Sequence, residues 1–326
     1  MKNIFKICII LILVAFFTNC SKEDSGIEKC TETTWYQDLD KDGLGNPNRT
    51  KLSCTQPSGY VDNSNDNDDL NNESLTIPST GFSSPETYAG LSLLWADEFN
   101  YTTLDEDFWN YDLGDGCPNN CGWGNNELET YKKENTSIQD GNLIITARKE
   151  QGNNNYTSSR ISTKGKFSFK YGRVDIRAAL PKGQGIWPAL WMLGENIDEV
   201  SWPKCGEIDI MEKIGGSGNE KTVHGTAHWD NSGQHASYGG SQTISSGNFL
   251  DEFHVFSIIW TPESITWYID DVEFHVIDIT PSGLNEFQKE FHLLINLAVG
   301  GNWPGSPDGS TIFSQYLIVD YIRVFQ

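Results

Sequence analysis

The sequence predicts an all-β protein built as a sandwich of sheets, and three observations carry that expectation. Short apolar or alternating runs recur between glycine, proline and asparagine turns, at 143–147, 166–169, 174–177, 189–193, 208–211, 256–260, 266–269, 292–297 and 317–325. No long segment has helical spacing. Aromatic residues make up 12% of the 326 residues, with 11 Trp, enough to build a large core at an apolar fraction of only 37%.

The chain divides in order. Residues 1–19 read as a lipoprotein signal peptide: Lys2 and Lys6 precede the apolar run 7–17, which is too short to span a bilayer comfortably. Cys20, followed by Ser-Lys-Glu-Asp-Ser, resembles the acylated N-terminal cysteine of bacterial lipoproteins, although Phe17-Thr18-Asn19 matches the usual small-residue box loosely. Residues 20–29 are then a lipidated tether. The cluster Lys22-Glu23-Asp24 resembles the signal that sends some Gram-negative lipoproteins to the cell surface, so the expected location is the outer membrane with the rest of the chain outside.

Residues 30–72 form a polar spacer rich in Asn and Asp. Within it Asp38-Leu39-Asp40-Lys41-Asp42-Gly43 places acidic oxygens two residues apart before a glycine turn, as Ca²⁺ requires. The closing Glu of an EF-hand is missing, and the stretch resembles the thrombospondin type 3 calcium repeats; the alternative is a solvated acidic spacer. Residues 73–90, with Ile77-Pro78 and Ser83-Ser84-Pro85 and little periodicity, read as a linker. The β-rich domain occupies 91–326.

The formal net charge of -22 argues against nucleic acid or an anionic membrane surface as partner, leaving the lipid anchor as the expected membrane contact. A neutral polysaccharide is not disfavoured, and sugar rings present apolar C–H faces that stack on exposed tryptophans. With Cys8 and Cys20 set aside, Cys30, Cys54, Cys117, Cys121 and Cys205 remain, an odd number that leaves one free. Cys30 and Cys54 flank the spacer and Cys117 and Cys121 could staple their loop, but pairing is not readable from sequence. The cysteines lack the paired short spacings of a zinc site.

The functional signal is Gly206-Glu207-Ile208-Asp209-Ile210-Met211-Glu212. Carboxylates are poor strand formers and like charges on one face repel, so a purely structural strand has little reason to carry three. Strict alternation puts Glu207 and Asp209 on one face and Glu212 on the other. One extra residue between Asp209 and Glu212, a β-bulge, brings all three to one surface. Two carboxyl groups so held can perform retaining glycoside hydrolysis, one as nucleophile and the other as acid and then base. Asp209 between them would separate their pKa values. A three-carboxylate Ca²⁺ or Mg²⁺ site is the competing reading, although one strand seldom wraps a cation.

This stretch resembles the Glu-x-Asp-x-x-Glu signature of glycoside hydrolase family 16 in its bulged form. The resemblance extends over 91–326 through Trp95-Ala96-Asp97-Glu98-Phe99, Gly122-Trp123-Gly124-Asn125-Asn126-Glu127-Leu128, Gly185-Ile186-Trp187-Pro188-Ala189-Leu190-Trp191-Met192-Leu193, His224-Gly225-Thr226-Ala227-His228-Trp229 and Val319-Asp320-Tyr321-Ile322-Arg323-Val324. It implies a β-jelly roll with a concave cleft, Glu207 as nucleophile, Glu212 as acid/base and Asp209 assisting, with no cofactor for catalysis. The loop motifs resemble the laminarinase branch, endo-β-1,3-glucanases, which implies a β-glucan partner and a monomeric enzyme. Branches acting on mixed-linkage glucan or marine galactans share the catalytic strand.

By the same resemblance Trp187 and Trp191 line the cleft, Asn126 and Arg160 are polar cleft positions, and His228 meets sugar or the acid/base. Trp303, on a loop of turn residues, is better explained by ligand than by core. His224 is as readily a structural histidine, and Trp229, Trp260 and Trp267 are left to the core or unassigned. A structural Ca²⁺ is implied on the face away from the cleft, held by backbone carbonyls of Glu98 and Gly141 and by Asp320. Two rivals use the same chain: a surface glycan-binding protein without turnover, and a transglycosylase.

Overall fold

The structure, a computed structural model, describes residues 31–38, 45–66, 75–150, 155–216 and 218–326. Two large, mostly antiparallel sheets pack face to face. The concave sheet runs, strand by strand, through Gln234–Thr243, Thr222–Asn231, Glu207–Glu212, Ile186–Gly194, Phe291–Val299, Arg160–Ser162 and Asn110–Tyr111, with Ser168–Phe169 also on Phe291–Val299. The second sheet runs through Val272–Asp278, Ser264–Ile269, His254–Trp260, Gly172–Ala179, Gln315–Phe325, Asn142–Lys149, Tyr156–Ser158 and Glu129–Tyr131. One core cluster joins them, with Ile208, Ile210 and Met211 from one side and Val174, Ile176, Ile258 and Trp267 from the other. This is the expected jelly-roll sandwich.

Pattern explains most of these elements. Phe291–Val299 is buried along its whole length, in keeping with a nearly continuous apolar run at the centre of a sheet. The expected runs coincide with strands except at 166–169. Only Ser168–Phe169 extends there, because the N–H groups of Lys166 and Phe167 both turn back to the Thr163 carbonyl. Polar strands escaped the pattern: Gln234–Thr243 has one neighbour in the sheet and is mostly exposed, so no apolar face marks it.

Two N-terminal expectations change. The polar stretch 30–72 contains a small three-stranded sheet, Asn46–Ser53, Thr33–Gln37 and Tyr60–Val61, seeded by the β-prone Thr33-Thr34-Trp35-Tyr36. Most of its proposed calcium loop, and Cys20 and Cys30, lie outside the described residues. The stretch 73–90 is no free linker where it is described, from residue 75. Leu75 and Ile77 pack on Ile144, Ala179, Phe253 and Ile318. Phe82 N–H and Thr80 C=O pair with Phe253, and Tyr88 OH donates to Asp175 at 2.7 Å. Residues 75–92 therefore strap the outer face of the second sheet, and the folded domain begins before residue 91.

Cys117 and Cys121 form a disulfide and Cys54 is disulfide-bonded. Cys205 is buried and free, and burial pushes its thiol up to about 12, far from thiolate chemistry.

Candidate active site

The carboxylate strand carries the expected bulge. Against Thr222–Asn231, Glu207 faces His228 and Asp209 faces Thr226, but Glu212 faces His224, so three steps on one strand match two on the other. Against Ile186–Gly194, Met211 pairs with Leu190 and Asp209 with Trp191, leaving Ile210 as the extra residue. Ile208, Ile210 and Met211 point into the core, while Glu207, Asp209 and Glu212 share the cleft surface.

Two glycines permit this geometry. Gly206 enters the strand at φ 80°. Gly225 lies under the indole of Trp267, where a Cβ would meet Cδ1 at 2.4 Å. That close approach lets Trp267 Nε1–H donate to the Asp209 carbonyl at 2.7 Å, tying the start of the bulge to the opposite sheet. Trp267 and Trp260 are thus core residues, and half-buried Trp229 packs on Phe287.

The carboxylates are bound by neutral donors. Trp202 Nε1–H donates to Glu207 Oε2 at 3.1 Å, and Trp187 Nε1–H donates to Glu212 Oε1 at 3.0 Å. His228 Nε2 lies 3.0 Å from Asp209 Oδ2 and 3.7 Å from Glu207 Oε1. Burial pushes Glu207 up to about 8, Asp209's charge adding to it and His228 opposing it. Burial, again with Asp209, takes Glu212 to about 8, partly offset by His228 and the Trp187 N–H; burial alone takes Asp209 to about 8. Three carboxylates this close and this desolvated do not all ionise at neutral pH, so the cluster retains a proton.

The other expected residues gather around them. Trp187 stands edge-on to Trp303, ring centroids 5.6 Å apart, and Trp303 is 41% exposed. His224 packs edge-on against the same indole at 5.0 Å, so it supports the aromatic wall. Asn126 Nδ2 donates to Asn302 Oδ1 at 2.8 Å, placing it beside the Trp303 loop. Arg160 lies between the rings of Trp123 and Trp191, at 4.4 and 4.9 Å, and donates to Asp112 at 3.1 Å.

Several residues of the site were not singled out from sequence. Trp202, 46% exposed, reaches Glu207; a tryptophan in the turn just before the carboxylate strand was the available signal. Trp191 Nε1–H donates to Asn296, Asn296 Nδ2 to Tyr131 OH, and Tyr131 OH to Glu127, a chain of bonds at 2.8, 3.0 and 3.0 Å that fixes the Trp191 indole. A lone amide in the apolar strand Phe291–Val299 was its signal.

Glu98, Gly141 and Asp320 lie on or just beyond adjoining strands of the second sheet. Asp97 pairs with Ile322 and Leu143 with Val319, so the residues beside them adjoin. Arg323 occupies both Glu98 carboxylate oxygens, at 2.7 and 2.9 Å, and Arg177 takes Asp320 Oδ2 at 2.6 Å. Buried Asn142 Oδ1, next to Gly141, has no hydrogen-bond partner among the described residues. This donor set fits a hard cation held by carbonyls and one carboxylate oxygen.

Carboxylates that keep a proton, set between indoles able to stack on a sugar, are the equipment of a glycoside hydrolase, and this chain is of that class. Residues 124–321 match the model of glycosyl hydrolases family 16, and the chain belongs to that family. It is 41% identical over 251 residues to a beta-glucanase of Rhodothermus marinus, a match covering 72% of this chain and 85% of that protein. It is 40% identical over 275 residues to glucan endo-1,3-beta-glucosidase A1 of Niallia circulans, covering 76% of this chain but only 40% of that longer protein. The solved catalytic domain of an endo-1,3-beta-glucanase (laminarinase) from Thermotoga petrophila superposes with a TM-score of 0.67 at 45% identity, covering 72% of this chain and 98% of that one.

Proposed function

We propose that this protein cleaves internal β-1,3-glucosidic bonds of laminarin-like glucans with retention of configuration. The observation that carries the reading is the bulge that puts Glu207, Asp209 and Glu212 on one surface among Trp187, Trp191, Trp202 and Trp303. The names of the relatives at 40–45% identity supply the substrate class.

Glu207 is the nucleophile and Glu212 the acid/base, by their order on the bulged strand. Burial raises both alike and an indole N–H and His228 oppose it at both, so the proton the cluster retains is the one Glu212 donates to the leaving oxygen. When Glu207 becomes esterified its charge disappears, the repulsion on Glu212 falls, and Glu212 can ionise and draw a proton from water. Asn126, Arg160, Trp187, Trp191, His228 and Trp303 are the proposed sugar contacts. Incubation with laminarin, followed by ¹H NMR, should show β-anomers forming first. Initial α-anomers contradict retention, and no release of reducing ends favours a glycan-binding protein.

We infer a structural Ca²⁺ at Glu98, Gly141 and Asp320; it predicts a calcium-dependent rise in melting temperature, reversed by EGTA and absent in Asp320→Asn. We also infer that Cys20 is acylated and that residues 20–72 hold the hydrolase outside an outer membrane. Mass spectrometry of the N-terminal peptide checks this, and an unmodified Cys20 refutes it.

A further inference from the structure

His228 is bonded on both sides. Its Nε2 faces Asp209 at 3.0 Å and Glu207 at 3.7 Å, and its Nδ1 lies 2.9 Å from Nε2 of His235, on the neighbouring edge strand. The two imidazole planes are within 15° of parallel. On its other side His235 meets the Trp202 ring, centroids 4.6 Å apart, and Trp202 donates to Glu207. A closed circuit thus runs from Glu207 through Trp202, His235 and His228 back to the carboxylates.

A neutral imidazole has one N–H and one bare nitrogen. If His235 donates its Nε2–H to His228 Nδ1, the single proton of neutral His228 must sit on Nε2, facing Asp209 and Glu207. The opposite direction gives His228 a bare Nε2 against two carboxylates, which is tolerable only while Asp209 itself carries a proton. Among the described residues buried Asp209 Oδ2 has no well-directed hydrogen bond, and His228 is the group beside it able to answer its charge.

We propose that His235 is a positioning residue: it sets the tautomer of His228 and thereby couples the proton held by Asp209 and Glu207 to solvent at the cleft edge. His235 is exposed, so its Nδ1 can exchange protons with water. The titratable residues of the strands that carry and flank the pair are Glu207, Asp209 and Glu212 on the carboxylate strand, His224 and Asp230 on the His228 strand and Tyr238 on the edge strand, with Lys204 in the turn that carries Trp202. Asp230, the register partner of His235, accepts the Gly233 N–H in the hairpin turn at 2.9 Å.

The kinetic part of this inference rests on the proposed hydrolysis; the tautomer part does not. The test uses the full chain, wild type, His235→Phe, which keeps a ring for Trp202 but no proton, and His235→Gln, which keeps an N–H donor. Imidazole ¹⁵N spectra should show His228 protonated on Nε2 at neutral pH in the wild type and in His235→Gln, and a tautomer mixture in His235→Phe. On laminarin, His235→Phe should lower kcat on the order of tenfold, with KM within about twofold, and displace a limb of the pH–kcat profile, while His235→Gln largely restores both. An unchanged His228 tautomer and pH profile in folded His235→Phe overturn the inference and leave His235 a packing role. If the wild type releases no sugar, the hydrolase reading fails and the ¹⁵N result still decides the tautomer.

Discussion

The two sheets bury carboxylates in opposite ways. On the second sheet, beneath the strap, one group is held by arginines: fully buried Asp175 accepts from Arg173 Nε and Ser257 Oγ, both at 2.7 Å, Arg173 also reaches Asp271, and Arg177 and Arg323 hold Asp320 and Glu98. The strap covers this network through Tyr88, whose ring lies 4.2 Å from the Arg173 guanidinium. On the concave sheet, among the described residues, Glu207, Asp209 and Glu212 meet only indole N–H groups and one imidazole. Paired charges in one sandwich hold two elements together; unpaired ones retain protons and stay available for chemistry.

The largest expected effect breaks the concave set. Glu207→Gln or Glu212→Gln should lower laminarin hydrolysis on the order of 10⁴-fold with the fold intact by circular dichroism. Near-normal turnover by Glu207→Gln removes the nucleophile from the mechanism.

Next comes the paired set. Asp175→Ala leaves Arg173, 7% exposed, without its buried partner and should destabilise the domain by about 3 kcal/mol in urea denaturation, with little change in kcat of the folded enzyme. A loss below about 0.5 kcal/mol makes the network dispensable and the contrast between the sheets empty.

The smallest effect concerns stability against pH. Unfolded carboxylates release their protons near pH 4, whereas burial delays release by Glu212 in the folded chain to about 8. Between these values the folded state binds more protons, so the group's contribution to stability falls as pH rises through that window. Glu212→Gln should therefore equal the wild type near pH 4 and exceed it on the order of 1 kcal/mol near pH 8, an inactive but more stable variant. A variant less stable than the wild type at pH 8 contradicts the desolvation assigned to this face.

The catalytic strand was legible because its information is local. Three carboxylates at 207, 209 and 212 conflict with a period of two, and one inserted residue resolves the conflict. Trp187 and Trp191 share a face of one strand by alternation, but it was the family resemblance that put that face in the cleft. The strap was not legible: its prolines and serines look like a linker until Phe253 and Asp175 are placed beside it. His235 was not either, since a histidine in a polar strand has no meaning before that strand is paired with the one carrying His228.

The sequence by itself determined the β architecture, the chemistry and the interval that bulges, because alternation and its interruption act over a few neighbouring residues. Only the tertiary structure decided which donors meet each carboxylate, that Asn296 fixes Trp191 across 105 residues, and that the domain begins at the strap. Those outcomes depend on strand order and on which side chains share a buried space, and contacts between distant residues leave no periodic trace along the chain.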